Sequence, residues 1–112
     1  MKGRTKAFAL DVLKLGSMLP NTSEGRIVRN QLVRSATSVG ANYRAACRAR
    51  SKAEFIAKLG IVEEEADESA FWLEIINEGG LLSGNKVDSM HREAEELTAI
   101  VAASRKTAKS SQ

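Results

Sequence analysis

The sequence is poor in the residues that support several common kinds of site and scaffold. Its 112 residues include one cysteine, one proline and one histidine, and aromatic residues make up 4%. Cys47 has no partner in the chain, which excludes an internal disulfide and favours a reducing compartment. Because proline, threonine, tyrosine and phenylalanine are scarce, while Ala, Leu, Glu, Lys and Arg are abundant, helix is favoured over sheet.

Long hydrophobic runs are also lacking. The basic start Met1-Lys2-Gly3-Arg4 is typical of a secretion signal, but Asp11 and Lys14 interrupt the apolar stretch that follows it. No run of about 18 uncharged apolar residues, the length that a membrane-spanning helix needs, occurs in the chain. The predicted location is therefore the cytoplasm.

Apolar and small residues instead recur every three or four positions, the spacing of one face of an amphipathic helix. The four segments with this spacing are about 4–19, 21–50, 51–78 and 85–108. The predicted core positions are Phe8, Val12, Leu15 and Leu19; Val28, Leu32, Ser35, Val39, Tyr43 and Ala46; Phe55, Leu59, Val62, Ala66, Ser69, Leu73 and Ile76; and Val87, Met90, Ala94, Leu97, Val101, Ser104 and Ala108. We predict an all-α fold, an antiparallel four-helix bundle forming one domain over residues 1–108, with a frayed tail at 109–112.

Capping residues predict where the second and third helices begin. Asn21 is followed three residues later by Glu24, and Ser51 by Glu54, which is the spacing of a capping box. The pair Gly79-Gly80 predicts the end of the third helix.

The middle of the second segment is weak in helix propensity. Gly40 costs about 1 kcal/mol relative to alanine inside a helix, so a break near this residue is an alternative to one long helix. Small residues at Ala36, Gly40 and Ala41 would also let a neighbouring helix approach closely.

Two stretches carry a family resemblance. Residues 31–46 read QLVRSATSVGANYRAA, residues 55–68 read FIAKLGIVEEEADE, and FWL follows at 71–73. They resemble the four helix bundle protein family, also called the 23S rRNA intervening-sequence protein family because some members are encoded within insertions in large-subunit ribosomal RNA genes. The resemblance implies a four-helix bundle, assembly into a homopentamer, and kinship with the accessory protein of diversity-generating retroelements, a basic pentamer that binds nucleic acid and a reverse transcriptase.

Charge is segregated along the chain. Residues 26–52 contain seven positive residues and no acid, whereas residues 53–78 contain eight acids against Lys58. One interpretation pairs the basic second helix with the acidic third helix, so that charge sets register and partner choice within a scaffold that binds only proteins.

The other interpretation is a surface that binds the phosphates of RNA or DNA, for which the planar donors of arginine are well suited. The predicted nucleic-acid-binding residues are Arg26, Arg29, Arg44, Arg48, Arg50 and Lys52. Arg105, Lys106 and Lys109 would add a flexible contact, or alternatively serve as a solubilising tail.

The third helix carries a second apolar stripe outside its core positions. Ile61, Trp72 and Ile75 form this stripe, which predicts an interface with another subunit of a homo-oligomer. The alternative is that Leu81 and Leu82 fold back over it.

Polar residues within the two distinctive stretches predict a buried network between the second and third helices. Its predicted members are Asn42, Tyr43, Glu63 and Glu64, in a structural role that fixes register. No catalytic residue, metal site or cofactor is predicted, because His91 is alone and Cys47 has no evident histidine partner.

Overall fold

The computed structural model describes residues 1–111 and contains four helices joined by short connections. They are α1 (Lys2–Gly16), α2 (Ser23–Cys47), α3 (Lys52–Glu78) and α4 (Asn85–Ser110). These residues contain no strand, and the predicted all-α four-helix fold is confirmed. Within the same residues, no helix combines the length and apolar composition needed to cross a membrane.

Several of the predicted helix boundaries need correction, and α2 ends at Cys47 instead of at about residue 50. α1 ends at Gly16 instead of Leu19, because the Met18 and Leu19 N–H groups bond to carbonyls only three residues back, tightening the chain before Pro20. α2 is capped by Thr22, whose Oγ1 accepts a hydrogen bond from the Gly25 N–H at 3.0 Å.

The predicted cap of α3 is confirmed. The Ser51 hydroxyl accepts a hydrogen bond from the Glu54 N–H at 3.1 Å. At the other end α3 stops before Gly79-Gly80, as predicted, and Gly80 has a φ of 71°, a conformation that favours glycine.

α2 is one continuous helix through its weak middle, without the alternative break near Gly40. Gly40 lies against α1, where a Cβ would stand 3.4 Å from the Thr5 carbonyl oxygen. The α1 backbone thus passes close to α2 at Gly40, at a distance where a Cβ would make an ordinary contact.

Each helix packs on its neighbour in the chain, and α1 also contacts α4, which closes the bundle. α1 has 15 residues and the other helices have 25 to 27. Arg4 bonds to Glu93 and Glu96, so the start of α1 lies beside this part of α4. The rest of α4 extends beyond the start of α1 by roughly 20 Å, at 1.5 Å per residue. We call this part of the bundle the three-helix end; it contains the last turns of α2 and α4, the first turns of α3, and connection 48–51.

The predicted core positions are buried, apart from those near the three-helix end. Ser104 is exposed, and Tyr43, Phe55 and Ala108 are half-buried, because α1 does not extend far enough to cover them. Inside the core, the Ser69 hydroxyl donates to Ser35 Oγ at 3.0 Å and Ser35 donates to the Leu32 carbonyl at 3.1 Å. Both buried hydroxyls of the α2–α3 contact are therefore satisfied.

Gly60 lies in the interior of α3, where alanine should be better. A Cβ there would lie 3.4 Å from Arg105 Nε, an ordinary contact with a flexible side chain. We expect Gly60→Ala to raise the free energy of unfolding in urea by about 0.5–1 kcal/mol. Gly3→Ala, which introduces a Cβ into open space in the first turn of α1, is the control. A loss of stability in Gly60→Ala alone would mean that Arg105 cannot move aside.

Candidate nucleic-acid interface

Four of the six predicted nucleic-acid-binding residues are close together. Arg44 lies in the last turn of α2, Arg48 and Arg50 follow in the connection, and Lys52 begins α3. All four side chains are exposed, and none forms an ion pair within residues 1–111. Lys52 Nζ donates to Ser111 Oγ at 2.8 Å, which joins the start of α3 to the end of α4.

The other two predicted residues lie elsewhere on α2. Arg26 precedes Arg44 by 18 residues, or roughly 27 Å along the helix. Arg26 donates to Asn21 Oδ1 at 3.0 Å, and the Arg29 side chain packs beside Gly16. The six residues therefore form two separate groups instead of one patch.

Arg34 is the α2 cation that pairs with the acidic helix α3. It donates to Glu65 at 2.9 Å and also to Glu68. The hydrogen bond to Glu65, followed by that to Glu68, raises the pKa of Arg34 above its ordinary value. Neutralisation of α2 by α3 is thus limited to Arg34 among the described residues.

A groove between α1 and α2 brings further cations to Arg44. It has a volume of about 380 Å³ and is lined by Lys2, Lys6 and Arg44 around small side chains such as Ala9 and Ala41. Lys2 and Lys6 were not among the predicted residues, because their place beside Arg44 depends on the register between two helices.

The end of α4 is helical where a flexible tail was predicted. The helix reaches Ser110, since Ala, Lys and Arg favour helix there, while Gln112 lies outside the described residues. Arg105 is half-buried and donates to Glu63 at 3.3 Å. Lys106 and Lys109 are exposed on the same helix end. They therefore present charge from a fixed position.

The predicted oligomer-interface residues remain partly or fully accessible. Ile61 and Ile75 are 39% and 37% exposed, and Trp72 is half-buried with its Nε1 donating to Glu68 at 3.2 Å. Phe71, which the sequence analysis did not select, is 49% exposed and contacts Trp72 edge to face, with ring centroids 5.0 Å apart. We call Ile61, Phe71, Trp72 and Ile75 the α3 stripe.

Leu81 and Leu82 do not cover this stripe, although the alternative interpretation expected them to do so. Leu81 and Leu82 are half-buried and pack against the core, while three residues of the stripe stay exposed. Beside the stripe, Asp67, Glu74 and Glu95 line a groove between α3 and α4. This side of the bundle is therefore both apolar and acidic.

The predicted polar network between α2 and α3 needs correction. Asn42 donates to the Ser38 carbonyl on its own helix, Glu63 bonds to Arg105 of α4, and Glu64 is exposed. Within residues 1–111 no hydrogen bond joins Asn42 or Tyr43 to either glutamate. Asn42 bonds within α2 and Glu63 bonds to α4, so the buried polar pair of the α2–α3 contact is instead Ser35 and Ser69.

Tyr43 is the only tyrosine, so its titration can be observed directly. Partial burial, and then the charge and hydrogen bonding of the nearby Cys47, raise the pKa of Tyr43 above its ordinary value of 10.0. A raised pKa stabilises the fold below the unfolded value, and this stabilisation is lost as the pH rises through the folded pKa. Absorbance at alkaline pH should therefore show a midpoint above 10.0. Cys47→Ser should lower that midpoint, and no change would mean that burial alone causes the shift.

The described residues contain no group of three metal-binding side chains that is arranged to hold a metal ion. This holds for His, Cys, Asp and Glu over residues 1–111. His91 lies 3.3 Å from Glu74 and 3.6 Å from Glu95, in a partly exposed contact between α3 and α4.

The protein is an elongated four-helix bundle with exposed cations towards one end and an apolar stripe on α3. Residues 2–103 match the family described as 23S rRNA-intervening sequence protein, and the chain belongs to this family. The resemblance found in the sequence is thus confirmed.

A solved structure is similar over almost the whole chain. It is the crystal structure of a protein of unknown function from the S23 ribosomal protein family of Bacteroides thetaiotaomicron VPI-5482, with a TM-score of 0.87 and 31% identity. The similarity covers 94% of this chain and 97% of that chain. No curated protein matches the sequence significantly.

Proposed function

We propose that this protein is a homo-oligomeric, cytoplasmic helical-bundle adaptor that binds RNA or DNA through the positively charged residues of α2 and the connection after it. The observation that carries the proposal is that Arg44, Arg48, Arg50 and Lys52 are exposed without an acidic partner in residues 1–111. The proposal includes no catalytic step.

Phosphate binding is the chemistry that this arrangement supports best. Unpaired arginine and lysine side chains attract phosphates and displace the counterions that surround a nucleic acid. Arg34 offers less to such a ligand, since its positive charge is already paired with Glu65 and Glu68. We therefore expect Arg44 and Arg48 to contribute more to binding than Arg34.

Charge reversal tests the proposal. Arg44→Glu/Arg48→Glu should weaken binding to labelled structured RNA or duplex DNA by about tenfold or more at low salt, because two attractive contacts become repulsive. Lys86→Glu/Arg92→Glu is the matched control, since these exposed residues of α4 change charge equally but lie in its first turns, away from the three-helix end. Circular dichroism checks that helicity is unchanged. Equal binding by both variants would contradict the proposal.

Self-association is the second part of the proposal, and the α3 stripe supports it. The opposite side of the bundle, formed by α1 and α2, also exposes apolar side chains, among them Leu10, Leu13 and Ile27. Arg29 lies in the groove with Leu13, so this side offers positive charge where the α3–α4 side offers acids. Two unlike but complementary sides favour a head-to-tail contact that closes into a ring, and we propose a pentamer.

Mass measurement in solution tests this second part. Multi-angle light scattering should give about five times the 12.1 kDa chain mass. Phe71→Glu/Ile75→Glu should shift the protein to monomer, because it places charges in an apolar contact. Asn77→Glu, on the same helix but outside the stripe, should leave the mass unchanged. A monomeric wild-type protein would refute self-association and leave the α3 stripe for a different protein, the scaffold alternative.

A further inference from the structure

Eight exposed cations from all four helices lie between the start of α1 and the tip of the three-helix end. Those of α2, the connection, α3 and α4 are Arg44, Arg48, Arg50, Lys52, Lys106 and Lys109. α1 adds Lys2 and Lys6, which share the groove with Arg44. Glu54 is the one acid in residues 44–58 and 104–111. We call these eight residues the cationic end.

The cationic end is held in a defined shape. The Lys52–Ser111 hydrogen bond at 2.8 Å joins α3 to α4, and the Arg105–Glu63 contact at 3.3 Å joins them again about one dozen residues into α3. Close packing at Gly40 holds the start of α1 against α2. The charges therefore occupy fixed positions on one part of a bundle that measures 48 × 20 × 19 Å overall.

This end has nothing on which unpaired bases could stack. Its aromatic residues, Tyr43 and Phe55, are half-buried and pack against the core. Proteins that bind single strands combine positive charge with exposed aromatic side chains, because base stacking supplies much of the affinity. Charge without stacking favours a ligand that presents phosphates densely on a rigid surface, as a double helix does.

An anionic membrane surface fits this end less well. Peripheral binding to membranes uses exposed apolar side chains beside the basic residues. Apart from Met1, the large apolar residues that are exposed lie along α1, at its end, at the start of α2, or on the α3 stripe. The cationic end is thus polar as well as basic.

We infer that the cationic end binds the phosphate backbones of a double helix, of RNA or DNA, independently of sequence, and that Lys6, Lys106 and Lys109 contribute to it. This inference rests on the proposed function. It adds the class of ligand, and it adds contact residues that are not among the six predicted ones. A double helix is wide enough to contact cations from several helices at once. The surface of α2 alone could not provide such a contact.

Binding of the full chain to four labelled probes tests the inference. The probes are an RNA duplex and a DNA duplex of roughly 20 base pairs, about two helical turns, and one single strand of each. We expect either duplex to bind about tenfold more tightly than its own single strand. The duplex that binds more tightly identifies the natural source of the phosphates. Tighter binding to single strands, or to phosphatidylserine vesicles than to either duplex, would overturn the inference.

Two triple variants locate the contact. Lys6→Glu/Lys106→Glu/Lys109→Glu should weaken duplex binding about tenfold or more and reduce the slope of log affinity against log salt by about 3. Lys14→Glu/Lys86→Glu/Arg92→Glu, with the same change in charge outside the cationic end, should change affinity less than about threefold. If Arg44→Glu/Arg48→Glu abolishes binding while the first triple variant does not, the inference fails and the proposed function stands. If the wild type binds no probe at low salt, the proposed function itself fails.

Discussion

Gly25→Ala is expected to destabilise the protein by about 2–4 kcal/mol, because it combines overpacking with loss of a helix cap. A Cβ at this position would lie 2.0 Å from the Pro20 carbonyl oxygen and 3.2 Å from Thr22 Oγ1. The contact with Pro20 is with backbone, so no side-chain rotation can relieve it. Moving the backbone instead would break the 3.0 Å hydrogen bond from the Gly25 N–H to Thr22.

Urea denaturation measures this effect against the other two glycine variants. Gly60→Ala and Gly3→Ala make the same chemical change within helices where a Cβ has ordinary contacts or open space. A Gly25→Ala protein within about 0.5 kcal/mol of wild type would show that the connection 17–22 can shift without cost.

Phe8→Ala is the second large expected effect, at about 3–5 kcal/mol. Phe8 is 1% exposed and belongs to the core, so truncation leaves a cavity that the long helices around it cannot fill without moving. α1 is also the shortest helix, and its buried side chains are few. The loss should therefore appear first as detachment of α1.

Phe71→Ala provides the matched control, because it removes the same side chain where 49% of it is exposed. In dilute protein it should change the free energy of unfolding by less than about 1 kcal/mol. Its stability should depend on protein concentration differently from that of wild type, since Phe71 belongs to the proposed subunit interface. Equal destabilisation by both variants would contradict the placement of Phe8 in the core and Phe71 on the surface.

The fold was predictable because it depends on periodicity. Leu32 in α2 and Leu73 in α3 each belong to a set of apolar residues that recurs at helical spacing. Burial of these apolar faces decides the architecture before any contact is known. Helix ends were less predictable, because neighbouring polar residues compete for the same role. Asn21 and Thr22 both suit a cap, and the turn before Pro20 selects Thr22.

The candidate site was only partly predictable, because it depends on how the helices are rotated and aligned. Arg34 and Arg44 are both arginines of α2, yet one contacts the acids of α3 and the other shares a groove with Lys2 and Lys6. Ten residues bring the helix through a rotation that is not a whole number of turns, so the two side chains face different neighbours. The wrong network of Asn42, Tyr43, Glu63 and Glu64 has the same cause.

The two parts of the proposed function occupy different regions of the molecule. The cationic end lies at the last turns of α2 and α4, whereas Phe71 and Ile75 lie towards the end of α3, at the opposite end of the bundle. Cyclic self-association would repeat the cations of connection 48–51 and of the last turns of α2 and α4 once per subunit. Several weak phosphate contacts would then act together on one nucleic acid.

The salt dependence of binding tests the central claim most directly. Wild-type protein and a labelled duplex are mixed over a range of salt concentrations, and the dissociation constant is measured at each. With Arg44, Arg48, Arg50 and Lys52 in contact with phosphates, we predict micromolar or tighter binding at low salt and a slope of about −3.6 for log affinity against log salt, which contacts from Lys6, Lys106 and Lys109 would steepen to about −6. Absence of binding at low salt, or an affinity that does not change with salt, would contradict the claim that these cations serve to bind nucleic acid.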